Sequence, residues 1–306
     1  MNSCKLVRRT LQLAALLLLA PSFVRAQSLE PRLYLPLPTR LNIVVAAYTH
    51  SSGSVIVDGT VPIKDFRMTM HGANLAYVRT FGLFGRSGQV QAIAPFVTGT
   101  ARAVLAGQDT SRDLSGLADP QLRLAVNLLG GPARRRAEMG GVHFGTIVGA
   151  SLSLSLPLGH YDQDRYLNVG ANRWALKPEL GVTQVLGRSW ALEGYAGVWL
   201  FGRNTVYLDT ATLTQEPLWA LQAHFIRIFD RRGWLALDGT WVEGGSTAVN
   251  GVVQNTFQRH GRLGATSVWF LGGGHGVKVA FSTGVHTRSG GDFDVLSLGY
   301  QYSWGG

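Results

Sequence analysis

Residues 149–159 read GASLSLSLPLG, alternating serine and leucine. A period of two is that of an extended strand, with the serines on one face and the leucines on the other. The pattern recurs along the chain. Trp174, Leu176, Pro178, Leu180 and Val182 oppose Ala175, Lys177, Glu179 and Gly181. Trp190, Leu192 and Leu200 oppose Glu193, Tyr195 and Trp199, while Leu235, Leu237 and Trp241 oppose Ala236, Asp238 and Thr240. Val277, Val279, Phe281, Thr283 and Val285 oppose Lys278, Ala280, Ser282, Gly284 and His286. Leu122, Leu124, Val126 and Leu128 oppose Arg123, Ala125 and Asn127. Twelve strands are expected, near 41–50, 67–80, 87–106, 119–129, 142–157, 173–186, 189–203, 217–229, 233–245, 258–271, 276–288 and 292–304.

The connections alternate in length. LGRS, DRRG and GGGHG are short; SSGSVIVDGTVPIKDF, GQDTSRDLSGLAD, HYDQDRYLNVGAN, GRNTVYLDTATLTQEP and GGSTAVNGVVQNTF are long and polar. GGPARRRAEMGG, long on the short side, and SGGD, short on the long side, break the rhythm. An up-and-down transmembrane barrel has this asymmetry, with tight periplasmic turns and long external loops. An even strand number puts both termini on the periplasmic side. The segments are also longer than the roughly 5–6 residues usual in soluble strands, and long enough for the roughly 9–11 a tilted membrane strand needs. The fold expected is all-β: an antiparallel up-and-down transmembrane β-barrel of about twelve strands.

In the strands split this way one face is a band of leucine, valine and aromatic residues, and the other is mostly small, with isolated charges. The second face makes a poor soluble exterior and a serviceable lumen, so the apolar band is assigned to lipid. Arg123, Lys177, Glu179, Glu193, Asp238, Arg262 and Lys278 then line the lumen. They have two readings, an ion-pair network bracing the interior or a wall that selects solutes. Trp190, Trp219, Trp234, Trp241, Trp269, Tyr300, Tyr302 and Trp304 lie near strand ends, where aromatic girdles meet the membrane interface. On this assignment a polar residue at Leu154 damages insertion and one at Ser153 is tolerated.

Composition narrows the picture. Residues 1–26 have a basic start at Lys5, Arg8 and Arg9, an apolar stretch from Leu11 to Ala20 and a Val24-Arg25-Ala26 end, the form of a cleaved signal peptide. Residues 27–306 are expected to be one barrel domain in the bacterial outer membrane. The single cysteine, Cys4, lies in the leader, which excludes thiol catalysis and cysteine-held zinc from the exported part. The whole chain carries +10, and with the leader's four basic residues removed 24 basic face 18 acidic residues. The basic residues are scattered apart from Arg134-Arg135-Arg136, so no nucleic-acid surface is expected. Leu296, Leu298, Tyr300, Tyr302 and Trp304 make an amphipathic closing strand of the kind read by the barrel assembly machinery, although Gly305 and Gly306 follow the tryptophan.

Five stretches, SGLADPQLRLAVNLLG (115–130), RWALKPELGVTQVLG (173–187), WALEGYAGVWLF (190–201), GWLALDGTW (233–241) and GGDFDVLSLGYQYSW (290–304), resemble the outer-membrane family named for a putative meta-cleavage pathway of phenol degradation. That resemblance implies a barrel in outer-membrane lipid that passes small hydrophobic or aromatic solutes. None of the eight histidines stands in a nucleophile or metal motif, so no enzyme activity and no cofactor are expected. The alternatives are a closed barrel with a structural or sensing role and an outer-membrane hydrolase.

Overall fold

A computed structural model describes residues 29–306 apart from 57–62, 106, 141, 143, 166 and 231. The expected leader therefore lies outside the described residues. The strands, in chain order, are β1 (Leu41–Ile56), β2 (Ile63–Leu83), β3 (Arg86–Leu105), β4 (Gln108–Leu117), β5 (Gln121–Leu129), β6 (Thr146–Ser155), β7 (Ala175–Leu186), β8 (Trp190–Phe201), β9 (Asn204–Tyr207), β10 (Ala211–Gln215), β11 (Leu218–Phe229), β12 (Gly233–Gly244), β13 (Thr247–Val249), β14 (Val252–Val253), β15 (Gln258–Gly272) and β16 (His275–Gly305). Every pairing is antiparallel, and β1 joining β2 and β16, together with the β2–β3 pairing, closes the main sheet into a barrel.

The barrel has twelve staves. β16 supplies two, since its first half pairs with β15 and its second, from Gly290, with β1. β4 and β5 share one. Phe96 opposes Leu117 and Ile93 opposes Gln121, so three residues of this stave, 118–120, face two of β3. Pro120 has no N–H to give a ladder, and a bulge is where a strand accommodates it. The bulge also resets parity, so that Leu117 and Leu122 both face outward.

The outward face is apolar and open to its surroundings. Leu152, Leu180, Leu192, Leu237, Phe281 and Leu298 are each at least 45 % exposed. Inward residues are buried, among them Ser151, Ser153 and Ser155, the serines of GASLSLSLPLG. A water-soluble fold hides its leucines and shows its serines; this wall does the reverse, as a sheet in lipid does.

Three expectations need correction. β4 is strand, although its sequence, QDTSRDLSGL, reads as polar loop; its hydrogen bonds to β3 override composition. The loops after β8 and β12 fold into a second small sheet of order β14-β13-β10-β9. His286 does not follow Lys278 inward: a bulge between Gly261 and Arg262 shifts the register, and the imidazole stacks on outward-facing Trp241 at 5.6 Å.

Candidate functional site

Residues 29–40 rise from the short-turn end into the lumen. Thr39 N–H donates to Arg134 C=O and Arg40 N–H to Thr80 C=O at the base. Higher up the segment joins no strand, and side chains of the wall tie it in place. Glu30 meets Arg123 at 2.5 Å, and its N–H faces Gln222 Oε1. Arg32 N–H donates to Glu193 Oε2 at 2.7 Å, and its guanidinium lies 5.4 Å from the centre of the Trp234 ring. Leu33 N–H donates to the Tyr195 hydroxyl, Gln89 donates to Leu33 C=O, and Asn127 donates to Tyr34 C=O.

Tyr34 sits deepest in this arrangement, 2 % exposed. Its hydroxyl reaches Ser151 Oγ at 3.2 Å and Glu179 Oε1 at 3.3 Å. Burial, with Glu179 beside it, pushes its phenol well above the ordinary tyrosine range. Its ring crosses Tyr195 edge-on at 5.1 Å and lies against Gly149 and Gly181, which face each other in the β6–β7 register. A Cβ at either glycine would occupy the ring's place.

Arg123, Lys177, Glu179, Glu193, Asp238 and Arg262 are buried on the face opposite the exposed leucines, and Lys278 is half-buried there. Lys177 pairs with Glu179 at 2.8 Å, and Arg123 bonds Ser153 Oγ besides Glu30. Glu193 accepts from Thr183 and Tyr195, and Arg262 donates to Ser282. Asp238 holds His224 Nδ1 at 2.7 Å through one oxygen and Thr266 Oγ1 at 2.7 Å through the other. Lys278 lies within electrostatic reach of Glu30 and Asp238. The ionic partners of Arg123, Lys177, Glu179, Asp238 and Lys278 lie on the segment or the same wall, and Arg262 lies within electrostatic reach of Asp292 and Asp294 of β16, so the lumen is braced by a polar network.

Sequence reasoning missed Glu30, Arg32 and Tyr34. SLEPRLYLPLPTR alternates, with leucine at 29, 33, 35 and 37, but Pro31, Pro36 and Pro38 argue against a strand, it carries no motif, and its partners sit on strands up to 192 residues away. It also placed Trp234 in the girdle, whereas Trp234 faces inward, 7 % exposed, beneath Arg32. The other aromatics face outward. Trp190 stacks on Phe225, Trp269 on Phe229 and Tyr302 on Trp304 near the short-turn end, with Tyr300 against His275. Trp219 and Trp241 stand toward the other end, on β11 and β12.

At the long-loop end Val55, Phe66, Met68, Ala101, Leu114 and Phe293, from five neighbouring strands, form an apolar cluster on the inward face, packed by Leu167 and Val169 of the 156–174 connection. That connection also covers a gap in the wall. β6 stops at Ser155 opposite Gln121, so β4 ends the sheet order with only β3 beside it. His160 N–H donates to Leu117 C=O across the gap. Asp119, 1 % exposed, accepts from Gly159 N–H and Ala171 N–H at 2.9 Å each, pinning both ends of the loop.

A family model described as "Putative MetA-pathway of phenol degradation" matches residues 49–298. The chain is similar to the crystal structure of the COG4313 outer membrane channel from Pseudomonas putida F1, at 22% identity over 90% of this chain and 100% of that one, with a TM-score of 0.77. It also resembles the β domain of the Bordetella autotransporter BrkA, at 15% identity over 86% and 99% of the two chains, with a TM-score of 0.54. Both likenesses are of fold. No curated protein sequence matches the chain.

Proposed function

Since the chain belongs to the family described as the putative MetA-pathway of phenol degradation, we propose that it is an outer-membrane channel for passive passage of small solutes. One observation carries this reading: the lumen is filled by residues 29–38, which wall side chains hold without a ladder of backbone bonds. A segment held in this way leaves its place without breaking the barrel, because the staves keep all their hydrogen bonds.

The exposed leucine band sits in lipid, and the outward tryptophans and tyrosines mark its two interfaces. Export follows removal of residues 1–26, and the closing strand addresses the barrel to its assembly machinery. The lumen puts ring faces beside charges: Lys177 lies 5.5 Å from the centre of the Trp199 ring, and Arg32 lies over Trp234. That pairing suits small aromatic molecules bearing a polar group, the ring against Trp or Tyr and the polar group on the charges. The charges brace the closed state and face the solute in the open one. No bond of the solute is made or broken in this role.

The second reading, a closed barrel with a structural or sensing role, draws on the same plug. Flux through reconstituted protein separates them. Liposomes carrying the full chain are expected to take up a small aromatic carboxylate faster than empty liposomes. Uptake equal to that of empty liposomes supports the closed barrel.

A further inference from the structure

Above the lipid-facing band, the outer wall of β1, β2, β3 and the second half of β16 turns polar within two rows of side chains. The register is continuous here, so each row can be read across the strands. One row is Leu298, Tyr48, Ala73 and Phe96; the next is Leu296, His50, His71 and Thr98. Beyond these come Asp294, Ser52, Thr69 and Thr100, and then Asp292, Ser54, Arg67 and Arg102. All share the outward parity of Tyr48 and Phe96, which are 47% and 41% exposed. The last two rows line a cavity of about 880 Å³ on the outside of the barrel.

Arg67 and Arg102 stand directly opposite each other, both exposed. Like charges in that position repel. Among the described residues neither makes an ion pair or a hydrogen bond, and Asp292 is two strands from Arg67, about 10 Å at the usual strand spacing. Two guanidiniums aimed at one space are a fork for phosphate. The hydroxyls of Ser52, Ser54 and Thr69 beside them suit the hydroxyls of a sugar, while that of Thr100 donates to Asp113 Oδ1 at 2.7 Å. The flanking carboxylates disfavour a bare anion and accept the divalent cations that phosphorylated headgroups carry. The rows begin where the apolar wall stops, which is the headgroup level of the leaflet on the long-loop side.

We infer that this outer cavity binds the phosphorylated saccharide headgroup of a membrane glycolipid, the phosphate on Arg67 and Arg102. The site lies outside the lumen and does not depend on the passage reading. The test is native mass spectrometry of the full chain in detergent with Mg²⁺, offered a rough-type lipopolysaccharide or the same lipid after chemical dephosphorylation. The protein is expected to retain the phosphorylated lipid at least tenfold better, and R67Q/R102Q is expected to lose that preference while R67K/R102K keeps part of it. A heat-dependent gel shift confirms that each variant is a closed barrel. Equal retention of the two lipids, equal retention by R67Q/R102Q, or displacement of the lipid by millimolar inorganic phosphate would overturn the assignment.

Discussion

Gly181 leaves open the space that the ring of Tyr34 fills. The glycine sits on β7 opposite Gly149 of β6, where the serine–leucine alternation begins, so two staves of the barrel are shaped to receive one residue of the N-terminal segment. A substitution here acts on the plug without touching the lipid face. Gly181→Val is expected to displace Tyr34 and raise single-channel conductance in planar bilayers several-fold, with the barrel's heat-dependent gel shift preserved. Unchanged conductance in a folded variant would mean the segment does not obstruct the path.

The Glu30–Arg123 pair holds the next part of the segment. Arg123 is 6 % exposed, so removing its partner leaves a shielded charge bonded to Ser153, with Glu179 as the remaining carboxylate within electrostatic reach. Breaking a buried pair costs about 3–5 kcal/mol, and the 20 % exposure of Glu30 places this pair below that range. Glu30→Ala is expected to increase the fraction of time the channel is open. In a double-mutant cycle with Arg123→Ala, the two effects on open probability should be strongly non-additive; additive effects would deny the coupling.

The 156–174 loop depends on Asp119. Hydrogen bonds to a charged acceptor contribute about 1.5–3 kcal/mol each, and Asp119→Ala removes two, from Gly159 and Ala171. Arg165 stands in the middle of this loop. Trypsin is expected to cut after Arg165 at least tenfold faster in Asp119→Ala than in the parent, with the strands still protected. An unchanged cleavage rate would show that the loop is held from elsewhere.

Much of the barrel is legible in the sequence because a wall between lipid and lumen imposes one rule on every stave. Leu152 and Ser153 obey it as neighbours: one is 45 % exposed on the outside, the other 1 % exposed inside. β4 escapes because the rule relaxes beyond the membrane, where its outward face is polar and its inward face buries Leu114 among polar neighbours. The plug escapes for a different reason. Tyr34 is specified by the absence of side chains at Gly149 and Gly181, and Glu30 by a guanidinium 93 residues away. Neither constraint leaves a local pattern. Trp234 shows how far a residue type can mislead, since a strand-end tryptophan looks like a girdle until its parity is followed.

The two faces of β6 also refine what substitutions there should do. Leu152→Arg is expected to lower the free energy of folding into vesicles by about 2–4 kcal/mol, read from a denaturant titration. Ser153 faces the lumen, yet its Oγ accepts from Arg123 Nε at 2.8 Å. Ser153→Ala should fold normally and loosen the Glu30 latch, and Ser153→Leu should disturb the lumen rather than insertion. If Ser153→Ala were the more damaging to folding, the inside and outside of the barrel would be interchanged.

The central claim is that solute passes through the lumen, past the segment that fills it. Its most direct test is uptake of a small aromatic carboxylate by liposomes carrying either the full chain or the chain without residues 29–38. The expected result is slow, measurable uptake by the full chain and uptake at least tenfold faster by the shortened one. Equal rates from two folded barrels would contradict it, placing the path, if there is one, elsewhere.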